Sequence, residues 1–156
     1  MNGSTLVAGI GNVFLGDDGF GVEVAARLAR ENLPQHVRVL DAGIRARHLA
    51  YELLDGGYQT AILVDAVSRG GAPGTVYLIE PETGNESGGP VRLSLDGHGM
   101  TPETTLALVD AFGGSSTRVL IVGCEPACVD EGIGLSEPVA AAVDEAVSLV
   151  RDLVCA

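Results

Sequence analysis

Aromatic side chains are scarce in this 156-residue chain: three Phe, three Tyr and no Trp, 4% in all. Whatever core it builds must therefore be aliphatic, filled by Val, Leu, Ile and Ala. Positive charge is scarce too. Nine basic residues face 21 acidic ones, a formal net charge of −12. Such a surface repels nucleic-acid phosphates and anionic lipid, so neither nucleic acid nor membrane is an expected partner. Cysteine is limited to three, an odd number that does not form a disulfide framework. No run approaches the ~18 apolar residues of a membrane span. The opening Met-Asn-Gly-Ser carries no basic region, and Leu6 to Ile10 is too short for a signal peptide. A cytoplasmic protein is expected. Hydrophobic residues make up 46%, which excludes a disordered chain. At roughly 150 residues per domain, residues 1–156 are expected to form one domain.

What is plentiful is glycine and aliphatic runs. Glycine occupies 22 positions, about double the usual ~7%, without a collagen period, so tight loops are expected. Strand candidates are Thr5–Gly9, His36–Asp41, Thr60–Asp65, Thr75–Glu80, a short Val91–Leu95, and Thr117–Val122. Between them lie helical stripes. Phe20, Val24 and Leu28 recur every four residues, Arg45–Leu54 ends at Gly56-Gly57, and Thr101-Pro102 opens a helix to about Phe112. Ser136 and Pro138 begin a last helix with Val139, Val143, Val147, Val150 and Val154 along one side. Pro81–Pro90 is a polar Gly/Pro-rich loop. Alternating strands and helices predict an α/β, three-layer sandwich: a twisted, mostly parallel sheet with helices on both faces. Ligands in such sheets bind beyond the carboxyl ends of the strands.

Three side chains at those ends carry chemistry. Thr5–Gly9 runs into Gly9-Ile10-Gly11-Asn12-Val13-Phe14-Leu15-Gly16-Asp17-Asp18-Gly19-Phe20-Gly21. A dinucleotide-binding fingerprint would need glycine at Phe14, and two carboxylates would compete with a phosphate at the helix start. Asp41 stands about where a ribose-binding acid would, so a nucleotide-binding module remains an alternative. Asp is a favoured helix N-cap, and Asp17 is assigned that role, leaving Asp18 available. Asp65 ends the apolar run 61–64, where an acid is costly to bury without a partner. His98 sits in Asp96-Gly97-His98-Gly99-Met100, where flanking glycines free the backbone to place the imidazole. His36 and His48 lack such context and read as surface residues. Asp18, Asp65 and His98 together would suit a divalent first-row metal with coordination positions left open. Cys124 and Cys128 form C-x-x-x-C, weak as a zinc site without a second pair. With Cys155, they read as ordinary buried thiols.

The run Gly9 to Gly21 resembles the opening motif of the hydrogenase maturation endopeptidases. The resemblance continues through Asp41-Ala42-Gly43, Val64-Asp65-Ala66, Pro73-Gly74-Thr75, His98-Gly99 and Gly123…Pro126…Gly134-Leu135-Ser136. It spans nearly the whole chain, with Ala42 a minor departure and Asp18 where relatives often carry Glu. The resemblance implies an endopeptidase that removes the C-terminal extension of a nickel-iron hydrogenase large-subunit precursor, cutting just after a His or Arg. It implies that Asp18, Asp65 and His98 contact nickel, as metal ligands and as the catalytic set. That nickel is carried by the substrate and is not necessarily bound by the free protease. Attack on the peptide bond is either aspartic-type, by a carboxylate-activated water, or metal-assisted. A nickel-binding maturation chaperone without protease activity is the second alternative.

Overall fold

The computed structural model describes residues 4–44, 46–55, 57–80 and 117–155. The expected strand at 91–95, the loop at 81–90, the helix at 101–112 and His98 all lie outside them. Five strands form one sheet: β1 (Thr5–Ile10), β2 (Val37–Gly43), β3 (Thr60–Ala66), β4 (Val76–Ile79) and β5 (Arg118–Cys124). Their order is β2-β1-β3-β5-β4, parallel except for β4, which runs antiparallel to β5 at the edge. The helices are α1 (Phe20–Ala29), α2 (Ala46–Asp55) and α3 (Glu137–Cys155), and a 3-10 turn covers Gly16–Gly19. The expected α/β architecture is the observed one, and among the described residues no helix is long and apolar enough to cross a membrane.

Strand periodicity of two divides the aliphatic residues between the faces. Val7, Ile62, Val64, Leu120 and Val122 pack with Phe20, Val24 and Leu28 of α1 and the valine stripe of α3. Leu6, Ala8, Ile10, Ala61 and Leu63 face the other way, toward Leu49, Ala50 and Leu53 of α2. β1 and β3 are buried on both faces, which explains why their sequences are continuously apolar rather than alternating. On the surface, Arg27 pairs with Asp144, and Arg151 makes a forked pair with Glu31 at 2.7 and 2.8 Å. Both join α1, or the turn after it, to α3, and exposed pairs of this kind add at most about 1 kcal/mol each.

Two glycines lie outside tight loops and instead allow α1 to press onto the sheet. A Cβ at Gly21, near the start of α1, would collide with the Val64 carbonyl oxygen and stand 2.5 Å from that of Ile10. One at Gly9 would collide with the Gly21 carbonyl oxygen. Alanine is the better helix former by about 1 kcal/mol. Backbone oxygens cannot swing aside, however, so the collision decides the sign, and overpacking costs about 1–3 kcal/mol. Gly21→Ala is expected to lower Tm by roughly 3–10 °C, at the ~2–4 °C per kcal/mol of chains this size. A thermal melt that rises instead would show that α1 can lift from the sheet.

Candidate active site

The strand order places a crevice before any side chain is considered. From β1 the chain crosses to β2 on one side, then returns past β1 to β3 on the other. Adjacent loops that leave in opposite directions open a gap at the carboxyl ends of β1 and β3, the usual ligand position in open α/β sheets. Both acids of the described candidate set are there.

Asp65, the penultimate residue of β3, is 1% exposed, and its Oδ1 accepts a hydrogen bond of 2.7 Å from the Ala66 N–H. Asp18, in the 3-10 turn, is half-buried, and its Oδ2 accepts from the Asn12 N–H at 2.8 Å. Gly11 stands against the main chain of Asp18 and the side chain of Asp65. Its φ of +134° is left-handed, and a Cβ there would collide with the Asp18 carbonyl oxygen and stand 3.3 Å from Asp65 Oδ1. Burial raises the Asp18 pKa above the ordinary carboxylate value, opposed by the Asn12 amide. A carboxylate whose charge water and protein solvate incompletely gains from an incoming cation or proton. Carboxylate oxygens at such an edge have the chemistry to meet a divalent ion or to hold a water for attack on a carbonyl. The third candidate, His98, is outside the described residues. The Asn12 amide that a bound phosphate would need is already taken by Asp18.

Asp17 is not the cap of its own helix; no side-chain cap bond is made there. It is fully buried and binds a distant segment. Its Oδ2 accepts from Ala127 N–H at 2.8 Å, Cys128 N–H at 2.9 Å and Ser136 Oγ at 2.8 Å, and its Oδ1 accepts from Ser136 N–H at 2.7 Å. Burial pushes this carboxyl's pKa up, but the bonds from Ser136, Cys128 and Ala127 outweigh it and hold the pKa below the ordinary value. Ser136 is followed at once by α3, so Asp17 fixes a helix start more than a hundred residues away. Sequence distance hid this role: a local cap was the only reading open to a carboxylate beside a helix.

Glu125, just past β5, is another buried acid that sequence reasoning passed over. Its Oε1 accepts from Tyr77 Oη at 2.7 Å, Arg69 N–H at 2.8 Å and Gly71 N–H at 3.1 Å. The Tyr77 hydroxyl first, and the Arg69 amide next, lower its pKa. The bonds pin the loop that follows Asp65. The signal that singled out Asp65, an acid closing an apolar central strand, was present here too in 119–125. Cys124 is buried as expected, its thiol pushed up to about 11 by burial and the nearby Asp17 and Glu145, so it stays protonated at neutral pH. Cys128 and Cys155 are exposed, contrary to expectation, because one lies in the loop after β5 and the other on the outer side of the final helical turn. Among the described residues no three His, Cys, Asp or Glu side chains cluster as a metal site. His48 is exposed and His36 half-buried.

The chain is an α/β protein with a crevice at the switch point of its sheet and two acids at that edge. The sequence pattern of the family described as Hydrogenase maturation protease matches residues 22–153, and the chain belongs to that family. It is 35% identical over 148 residues to a putative hydrogenase maturation protease of Methanocaldococcus jannaschii, covering 93% of this chain and 92% of that one. It is 33% identical to the hydrogenase expression/formation protein HupD of Rhodobacter capsulatus, covering 95% of this chain and 70% of that protein. Among solved structures it is similar to the hydrogenase maturating endopeptidase HybD of E. coli, with a TM-score of 0.73, 26% identity, and coverage of 94% and 89%. The hydrogenase 2 maturation peptidase from Thaumarchaeota archaeon SCGC_AB-539-E09 gives a TM-score of 0.70 at 29% identity, with coverage of 96% and 97%. The family makes the chain a peptidase.

Proposed function

We propose that this peptidase removes the C-terminal extension of the precursor of a nickel-iron hydrogenase large subunit, in the cytoplasm, once that precursor carries nickel. Asp18, Asp65 and His98 are the residues that meet the substrate's nickel and the scissile peptide. The observation that carries the reading is the pair Asp18 and Asp65 about Gly11, in a chain of this family. A half-buried carboxylate with a raised pKa suits two roles. It can take the proton of an attacking water as general base, or share the charge of a cation that arrives on the substrate. Asp65, buried and held by the Ala66 amide, keeps its oxygens in place, which limits the reorganisation needed when charge develops.

The test is mass spectrometry of purified precursor incubated with the protein. Nickel-loaded precursor is expected to lose the mass of its extension, and nickel-free precursor to stay intact. Equal cleavage of both would move recognition to the extension sequence and support an aspartic-type attack independent of metal. No cleavage, with nickel bound by the protein, would identify a maturation chaperone instead.

A further inference from the structure

Among the described residues, most of the large apolar side chains left exposed gather at the carboxyl edge. Val13 is 40% exposed, Phe14 63%, Val129 49% and Ile133 80%. They come from two loops, after β1 and after β5, that backbone hydrogen bonds join. Gly132 N–H donates to the Phe14 carbonyl at 2.9 Å, Gly16 N–H to that of Gly132 at 2.8 Å, and Asp17 N–H to that of Cys128 at 2.9 Å. The buried Asp17 carboxylate ties the same loops from beneath. The ridge is thus held in place rather than carried on free loops, so covering it costs little ordering entropy.

Val13 lines two grooves that meet at the ridge. One, about 460 Å³, runs between α1 and α3, with Ile133 and Glu23 in its wall. The other, about 220 Å³, contains Gly11, which stands against the Asp18 main chain and the Asp65 side chain, together with Asp41. The surroundings are acidic: Glu23 and Asp41 line the grooves, and exposed Asp130 and Glu131 precede Ile133. Among the described residues lining either groove the only base is Arg27, already paired with Asp144. A second copy of this chain fits poorly, since it would bring another −12 of charge and a like-signed rim.

We propose that the ridge Val13, Phe14, Val129 and Ile133 is the docking surface for the partner polypeptide, which contributes an extended segment with apolar side chains and at least one cation. The inference rests on the peptidase acting on a protein substrate, and it adds the surface that grips that substrate beside the acid pair. An apolar centre with a charged rim is the usual anatomy of such contacts.

The probe is purified nickel-free large-subunit precursor, which the proposed function leaves uncleaved, with binding to the chain with Asp18 intact followed by biolayer interferometry. Phe14→Ser combined with Ile133→Ser is expected to weaken binding at least tenfold, and Asp130→Asn with Glu131→Gln to weaken it several-fold at low salt. Ile133→Asp alone, at an 80% exposed position, gives a second variant whose folding is indifferent to the change. Leu78→Ser is the control: Leu78 is 50% exposed but lines a groove with Thr5, Thr60 and Arg118, the opposite ends of the strands. Unchanged binding by the ridge variants, or an equal loss with Leu78→Ser, overturns the proposal. So does a parent that binds no precursor, or a dimer in light scattering that the ridge variants abolish. Cleavage is scored separately, on nickel-loaded precursor. If the precursor binds through the ridge but is never shortened, the docking surface stands and the peptidase reading of the substrate fails.

Discussion

Asp18→Asn is expected to fold as well as the parent chain and to lose precursor cleavage by at least 10²- to 10³-fold, as removal of a single group that stabilises transition-state charge commonly does. The stability side follows from the sign of the pKa shift. Burial raises the Asp18 pKa in the folded state, so the ionised carboxylate opposes folding at neutral pH, and the folded state gains relative stability as pH falls through the raised pKa. Asparagine removes that charge while keeping an oxygen to accept from Asn12 N–H, the 2.8 Å bond of the parent. The melting temperature at pH 7 should be equal or slightly higher. Its pH dependence above the ordinary carboxylate pKa should lose the parent's Asp18 contribution. Circular dichroism melts and precursor mass spectra on one preparation separate the two effects. An Asp18→Asn protein that cleaves at the parent rate would remove Asp18 from the site.

Asp17→Asn should behave in the opposite way. One asparagine oxygen can serve some of the four donors, but the amide nitrogen must then face an N–H or O–H donor. A buried donor left without an acceptor costs about 1–3 kcal/mol, and hydrogen bonds to a charged group are worth about 1.5–3 kcal/mol each. A loss of roughly 2–4 kcal/mol, or about 5–15 °C in Tm, is expected. Hydrogen bonds hold the folded-state pKa of Asp17 low, so its stabilisation is present above the unfolded carboxylate pKa and is lost as pH falls through the lowered one. The variant should therefore show a shallower acid limb in a stability–pH curve. Cleavage should fall with the fraction folded, and cooling should restore part of it, because the loops at the site are displaced rather than the acid pair removed. A melt within 1 °C of the parent would show that Asp17 is not the tie it is described as.

The two neighbouring acids show where sequence reasoning stopped. Both carry the same side chain in a Gly-Asp-Asp-Gly turn, and residue type could not tell them apart. The tertiary structure separates them because one binds a loop more than a hundred residues on and the other accepts from Asn12 in its own loop, at the carboxyl end of β1. Assigning Asp17 as a local cap was the natural outcome of counting only neighbours. Glu125 was missed for a related reason: its partners Arg69, Gly71 and Tyr77 converge only when β4 turns antiparallel beside β5.

The sequence by itself determined the alternation of strands and helices and the aliphatic two-sided burial of β1 and β3. It determined the acidic surface and the acids that end the strands as well, since hydrophobic period and local residue type are chain-local properties. Strand order was a property of the whole molecule, and with it the crevice between β1 and β3. So were the meeting of Asp18 with Asp65 about Gly11, the fit of α1 through Gly9 and Gly21, and the burial of Asp17. Each depends on which distant segments pack together, and the free energy of that packing is a sum over the whole core rather than over any one stretch of sequence.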